Sequence, residues 1–173
     1  MPANIRITPL GDIDSDVLEH VRAALRETFG AEVYITAAQP APKYAFSAYV
    51  HQFSAPTVVH KLAATIPEPS AKVLGVTSFD LFAPRTNYVF GEAQMGGGAA
   101  VISLYRLLER DRSLYYARAG KEAIHEIGHT FGLDHCHEPG CVMHFSHTIE
   151  DTDQKSGKFC AKCQRLLDKA MEE

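Results

Sequence analysis

The sequence predicts an α+β fold: a mixed, twisted sheet with packed helices, leading into a small C-terminal subdomain. Three observations predict it. Strand-like and helix-like segments alternate through residues 4–66, then a run of strands precedes one long helix. The chain has 173 residues, 46% of them hydrophobic, which suits a single domain with a proper core. Between Gly132 and Cys160 the periodicity fades. We therefore expect one domain over residues 1–173, divided into an N-terminal subdomain 1–132 and a C-terminal subdomain 133–173.

Asn4 to Leu10, with Ile5 and Ile7 alternating, reads as the first strand. Ser15 to Phe29 reads as an amphipathic helix, with Ser15 as its cap, Val17, Val21, Leu25 and Phe29 on one face and Gly30 as its stop. Glu32 to Ala37 is a second strand, and Pro40 to Pro42 a loop. Phe46 to Val50 fits a short strand or part of a hairpin. Ser54-Ala55-Pro56 opens a helix that runs to about Thr65, closed by Pro67 and Pro69. Val73 to Phe82, rich in β-branched and aromatic residues, reads as a central strand. Asn87 to Ala93 and Ala99 to Leu107 read as two more, separated by Gly96-Gly97-Gly98. Ser113 then opens a long helix, and a last helix runs from Cys160 to about Ala170.

The long helix carries His125-Glu126-Ile127-Gly128-His129, followed by Gly132 and His135: H-E-x-x-H-x-x-G-x-x-H. Residues four apart on a helix are rotated by about 40° from one another and separated by a rise of about 6 Å. His125 and His129 therefore face the same way and can share one Zn²⁺. Glu126 is one step round, beside the metal, where a base can take a proton from zinc-bound water. Gly132 allows a left-handed turn after the helix, so that His135 can double back as a third ligand. Three histidines leave a fourth position open, the pattern of a catalytic zinc.

All four cysteines lie in the last quarter: Cys136 and Cys141 as C-x4-C, then Cys160 and Cys163 as C-x2-C. This spacing matches a structural Cys₄ zinc site that would brace the C-terminal subdomain. Two disulfides are the competing reading. Met1 to Leu10 lacks the apolar core of an export signal, so the expected location is cytoplasmic, where thiols stay reduced. His135 and Cys136 are adjacent, and neighbouring side chains of an extended segment point to opposite sides. One can serve each metal, which predicts a coupling between the two sites.

At this point the chain resembles the archaemetzincins, a family that pairs the metzincin histidine motif with a cysteine beside the third histidine, then x4-C-x-M and a later C-x-x-C. Here these are His125 to His135, Cys136, Cys141-Val142-Met143 and Cys160-Ala161-Lys162-Cys163. Asn87 to Ala93 and Ala100 to Leu104 extend the likeness upstream. The resemblance implies a zincin/metzincin-like fold and a zinc metallopeptidase that hydrolyses peptide or protein substrates. It implies His125, His129 and His135 as ligands of a catalytic zinc, Glu126 as general base and Met143 as the methionine turn beneath the metal. It also implies a second, structural zinc on the four cysteines, hence two Zn²⁺ per chain.

The formal charge of −4 argues against nucleic-acid or membrane partners, and no apolar run is long enough to span a bilayer, so the expectation is a soluble monomer. His137, His144 and His147 read first as loop residues, with His147 the best placed to reach the cleft. Asp134 reads equally as a group orienting an imidazole or as a surface residue, and Asp151-Thr152-Asp153 as a solvated turn. The reading from another functional class is a zinc-stabilised peptide- or protein-binding module with little or no general proteolytic activity.

Overall fold

The computed structural model describes residues 3–173. A central sheet is built from β1 (Asn4–Leu10), β2 (Glu32–Ile35), β5 (Ala71–Thr77), β8 (Ala99–Ser103) and β7 (Gly91–Ala93), in the spatial order β2-β1-β5-β8-β7. The first four strands are parallel, and β7 runs antiparallel to β8 at the edge. A smaller sheet joins β3 (Phe46–Ser47), β4 (Gln52–Ser54) and β6 (Leu81–Phe82). Helices α1 (Ser15–Phe29) and α3 (Arg112–Thr130) pack together on one face of the large sheet, and α2 (Ala55–Ala63) covers the other. Two short helices, α4 (Ile149–Gln154) and α5 (Ala161–Glu172), complete the chain.

The strand pattern explains this layering. On β1, Ile5 and Ile7 point into the core shared with α1 and α3, where they meet Val21, Leu25, Ala123 and Ile127. Leu10 and Val73 face the other way, onto Val58 and Leu62 of α2. Every residue of β5 is buried, as expected for a parallel strand covered on both faces. Burying each such aliphatic side chain contributes about 1.5–3 kcal/mol, so this sandwich is a firm base for whatever lies at its edge. Among the described residues, no helix is long and apolar enough to cross a membrane.

Several boundaries differ from the sequence reading, each for a local reason. The cap of α1 is Asp14, not Ser15: its carboxylate accepts the Asp16 N–H at 2.9 Å. Likewise Asp111, not Ser113, caps α3 by accepting the Leu114 N–H. In both helices the side chain that satisfies the first free N–H groups is thus an aspartate upstream of the serine. The expected strand 73–82 divides, because the Thr77 hydroxyl accepts the Phe79 N–H and bends the chain, and β6 leaves to pair with β4. The strand expected over 87–93 keeps only its last three residues, β7. The one expected over 99–107 stops at Ser103, where a turn closes with Leu107 N–H on Leu104 O. The second strand stops at Ile35 and α2 at Ala63. The 151–153 segment is not a solvated turn but part of α4, discussed below.

Candidate active site

Helix α3 delivers the first two histidines. Both are buried, on the face that looks into a cleft of about 640 Å³ beneath β7. The ring of His125 is oriented by the Val142 carbonyl, 2.8 Å from Nδ1, and that of His129 by the Leu133 carbonyl, 2.7 Å from Nδ1. A carbonyl only accepts, so each Nδ1 carries the proton and each Nε2 presents a lone pair. The two Nε2 atoms face each other at 3.1 Å. Two acceptors at that distance repel unless a cation lies between them. A tetrahedral zinc with bonds of about 2.0–2.1 Å places its nitrogens roughly 3.3 Å apart, close to what is observed.

After α3, Gly132 takes a left-handed φ of 87° and turns the chain back. His135 arrives from the open side, its ring 4.8 Å from that of His129 and 5.3 Å from that of His125. One ligand atom from each of the three histidines lies within 4.8 Å of the others. Lost hydration favours the neutral form of all three rings, pushing buried His125 well below the usual imidazole range, lowering His129, and drawing the more open His135 to about 4. Neutral imidazoles are the form that binds a metal. The donor set and its open side therefore fit a zinc ion with a free coordination position.

Glu126 is buried beside the histidines, and burial, with Glu122 and Glu92 nearby, raises its carboxyl well above the ordinary range. It packs against β7 at Gly91, a residue whose role the sequence reading missed. A Cβ at Gly91 would come within 2.6 Å of Glu126 Cγ, 2.7 Å of its Oε1 and 2.7 Å of the Val101 carbonyl. Only a glycine lets the edge strand approach the carboxylate this closely. Gly128 plays the matching part below: the Met143 sulfur lies 2.6 Å from where its Cβ would be. Met143 is fully buried against the metal helix, under the histidines.

The cysteines gather behind this site. One sulfur from each of Cys136, Cys141, Cys160 and Cys163 lies within 4.8 Å of the others, and all four are free thiols rather than disulfide partners. Cys136 Sγ and Cys160 Sγ are 3.8 Å apart, near the separation of about 3.8 Å set by two zinc–sulfur bonds of about 2.3 Å in a tetrahedron. Cys160 caps α5, and the Cys163 N–H, with neighbouring thiols, draws its thiol down to about 7. Burial raises Cys141 and Cys163 instead. The donor chemistry suits a closed zinc site.

Backbone hydrogen bonds tie the two clusters together. The Cys136 N–H donates to Met143 O, and the Val142 carbonyl that orients His125 follows directly on Cys141.

A buried network braces the floor. Lys155 is almost fully buried, its Nζ 3.4 Å from Glu122 Oε1 and donating to His144 O. Thr152 donates to Glu122, and Arg118 grips Asp153 through two bonds of 2.7–2.8 Å. Asp151 accepts the N–H groups of His147 and Thr148 and starts α4. Glu122 lies four residues before Glu126, a spacing that could have flagged it; nothing in the sequence singles out Lys155.

Of the three extra histidines, His144 donates to Cys136 O, His137 is exposed, and His147 lines the cleft. The Tyr88 hydroxyl reaches across to the His147 carbonyl at 3.0 Å. Asp134 is exposed, and it is the Leu133 carbonyl beside it that orients His129. Tyr115 is buried in the helix packing and Tyr116 stacks on His20, so neither reaches the cleft.

The chain is similar to known proteins over most of its length. The model of peptidase family M54 matches residues 41–169. The archaemetzincin of Archaeoglobus fulgidus is 40% identical over 160 residues, covering 92% of this chain and 95% of that protein. The crystal structure of the Methanopyrus kandleri archaemetzincin superposes with a TM-score of 0.88 at 34% identity, covering 99% of this chain and 96% of that one. A zinc-dependent peptidase from Methanocorpusculum labreanum gives 0.86 at 29% identity, covering 94% and 99%. With the zincin-type sheet, the histidine cluster and this match over most of its length, the chain belongs to peptidase family M54, the archaemetzincins, and is a zinc metallopeptidase.

Proposed function

We propose that His125, His129 and His135 hold one catalytic zinc, that Glu126 is the general base of peptide hydrolysis, and that Cys136, Cys141, Cys160 and Cys163 hold a second, structural zinc. The observation that carries this reading is the pair of Nε2 lone pairs facing each other at 3.1 Å, with Glu126 buried beside them. Zinc bound there supplies Lewis-acid polarisation of a carbonyl and acidifies a water.

The chain's own residues do the rest. An extended peptide lies along β7, whose outer edge carries free backbone groups. Glu126 accepts a proton from the attacking water and returns it to the leaving amine. Burial, with Glu122 and Glu92 nearby, raises its carboxyl, which makes the carboxylate a better proton acceptor than an exposed one. Met143 supports the metal helix at Gly128. The second zinc ties residues 133–173 into a small subdomain and fixes the segment that carries His135. The working unit in this reading is a cytoplasmic monomer acting on peptides or proteins, with no nucleic-acid or membrane partner, in keeping with a formal charge of −4.

The test is a peptide library incubated with zinc-loaded protein, with and without chelator, alongside Glu126→Gln. Cleavage that is chelator-sensitive and absent in the variant, which still binds zinc, supports the reading. Peptides that bind without being cut would favour the binding-module alternative, and cleavage that survives Glu126→Gln would remove the base from the mechanism.

A further inference from the structure

We propose that the groove between α2 and the outer face of β1 is a binding site for a small organic anion, a carboxylate or phosphate group carried on an apolar or aromatic body. The groove lies on the α2 side of the sheet and shares no lining residue with the histidine cleft. Its volume is about 360 Å³, within the usual range for small-molecule sites of about 300–1,000 Å³.

Side-chain alternation on β1 creates it. Ile5 and Ile7 enter the main core, which sends Arg6, Thr8 and Leu10 to the opposite face. Helix α2 packs over β5, β7 and β8 and leaves this end of the face open. Leu10, Leu62 and Val73 therefore make an apolar floor beneath a polar rim.

The charges on that rim are one-sided. Arg6 and Lys61 both line the groove, and no aspartate or glutamate does. Among the described residues neither cation has a salt-bridge partner, although the whole chain carries 21 acidic residues against 17 basic ones. Lys61 is held in place, its Nζ 3.9 Å from the centre of the Tyr44 ring. That ring and the apolar floor offer two surfaces for a flat hydrocarbon body. Thr36 and Thr8, whose hydroxyls are 3.3 Å apart, add neutral hydrogen-bonding groups on the β1–β2 side. Two uncompensated cations over an apolar floor favour a ligand with an anionic head and an apolar body. A cation is repelled there, and a neutral body leaves both charges unpaired.

The experiment titrates the zinc-loaded, ¹⁵N-labelled chain with phenyl phosphate, benzoate and, as the neutral control, benzyl alcohol. We expect at least one anionic probe to shift amides within residues 6–10, 36–41 and 61–65, with a Kd of roughly 0.1–1 mM, and whichever binds tighter names the head group. Benzyl alcohol should leave those amides still. Arg6→Met/Lys61→Met should weaken binding by about tenfold or more, with peptide cleavage unchanged. Should the double variant fold poorly, Lys61→Met alone, at an exposed helix position, carries the same test. Shifts confined to residues 125–135, equal binding of the neutral probe, undiminished binding by the variants, or no shift with any probe would each overturn the proposal.

Discussion

The histidines of the cleft and the cysteines behind it adjoin at His135 and Cys136, yet their surroundings differ. Two of the three imidazoles sit on one helix, each turned by a backbone carbonyl, and the third reaches them from the solvent side. Two of the four thiols come from the irregular stretch between α3 and α4, and the other two from the cap and first turn of α5. The first cluster is shaped by a packed scaffold and stays open on one side. The second closes on itself and, with the proposed zinc bound, would hold its scaffold together. An open site set on rigid elements suits chemistry; a closed one in a loop-rich region suits stability.

That contrast can be broken at its strongest point first. Glu126→Gln should lower turnover by about 10²–10⁴-fold while zinc content and thermal stability stay near the parent's, measured by peptide cleavage and elemental analysis. Cys163→Ser should act oppositely. It should cost one equivalent of zinc and about 3 kcal/mol of stability, roughly 6–12 °C in Tm for a chain of this size, with activity falling through the loosened His135. A Cys163→Ser protein that keeps two tightly held ions and full activity would separate the two sites.

Gly91→Ala sharpens the comparison from the substrate side. The added methyl meets both Glu126 and the Val101 carbonyl, so kcat should fall about tenfold or more with zinc retained. Lys72→Met probes the scaffold beneath. The Lys72 ammonium donates to Gly97 O and Thr130 O, and the Gly96 N–H donates to His129 O, so the glycine turn is tied to the end of the metal helix. Losing those bonds should cost about 1–2 kcal/mol, roughly 3–6 °C in Tm. Asp153→Asn should have the smallest effect. Its hydrogen bonds from Arg118 hold the carboxyl below its ordinary value. The pair therefore contributes fully above the unfolded carboxylate range near 3.9 and loses its contribution as pH falls through the lower folded value. The variant's stability deficit, about 1 kcal/mol or less at pH 7, should shrink steadily below pH 4.

Much of this was readable in the residues because the relevant interactions are local. H-E-x-x-H works through helical spacing, Gly132 through its own φ, and the alternation of β1 through its own pleat. What escaped the sequence depends on residues far apart in the chain. Gly91 matters because it meets Glu126, 35 positions later, and Lys72 because it meets Thr130, 58 positions later. Thr152 and Asp153 read as part of a solvated turn and nothing marks Lys155, since only the fold brings them to Glu122 and Arg118. The caps slipped by one or two residues because Asp14 and Asp111 outcompete the serines after them.

The most direct test counts metal by site. Zinc-loaded protein, purified without chelator, is analysed for zinc before and after brief exposure to a mild chelator, while peptidase activity is followed in parallel. The account predicts two equivalents at the start, one released together with all activity, and one retained on sulfur ligands with the fold intact. A single equivalent at the start, or activity that outlasts the loss of the labile ion, would contradict it.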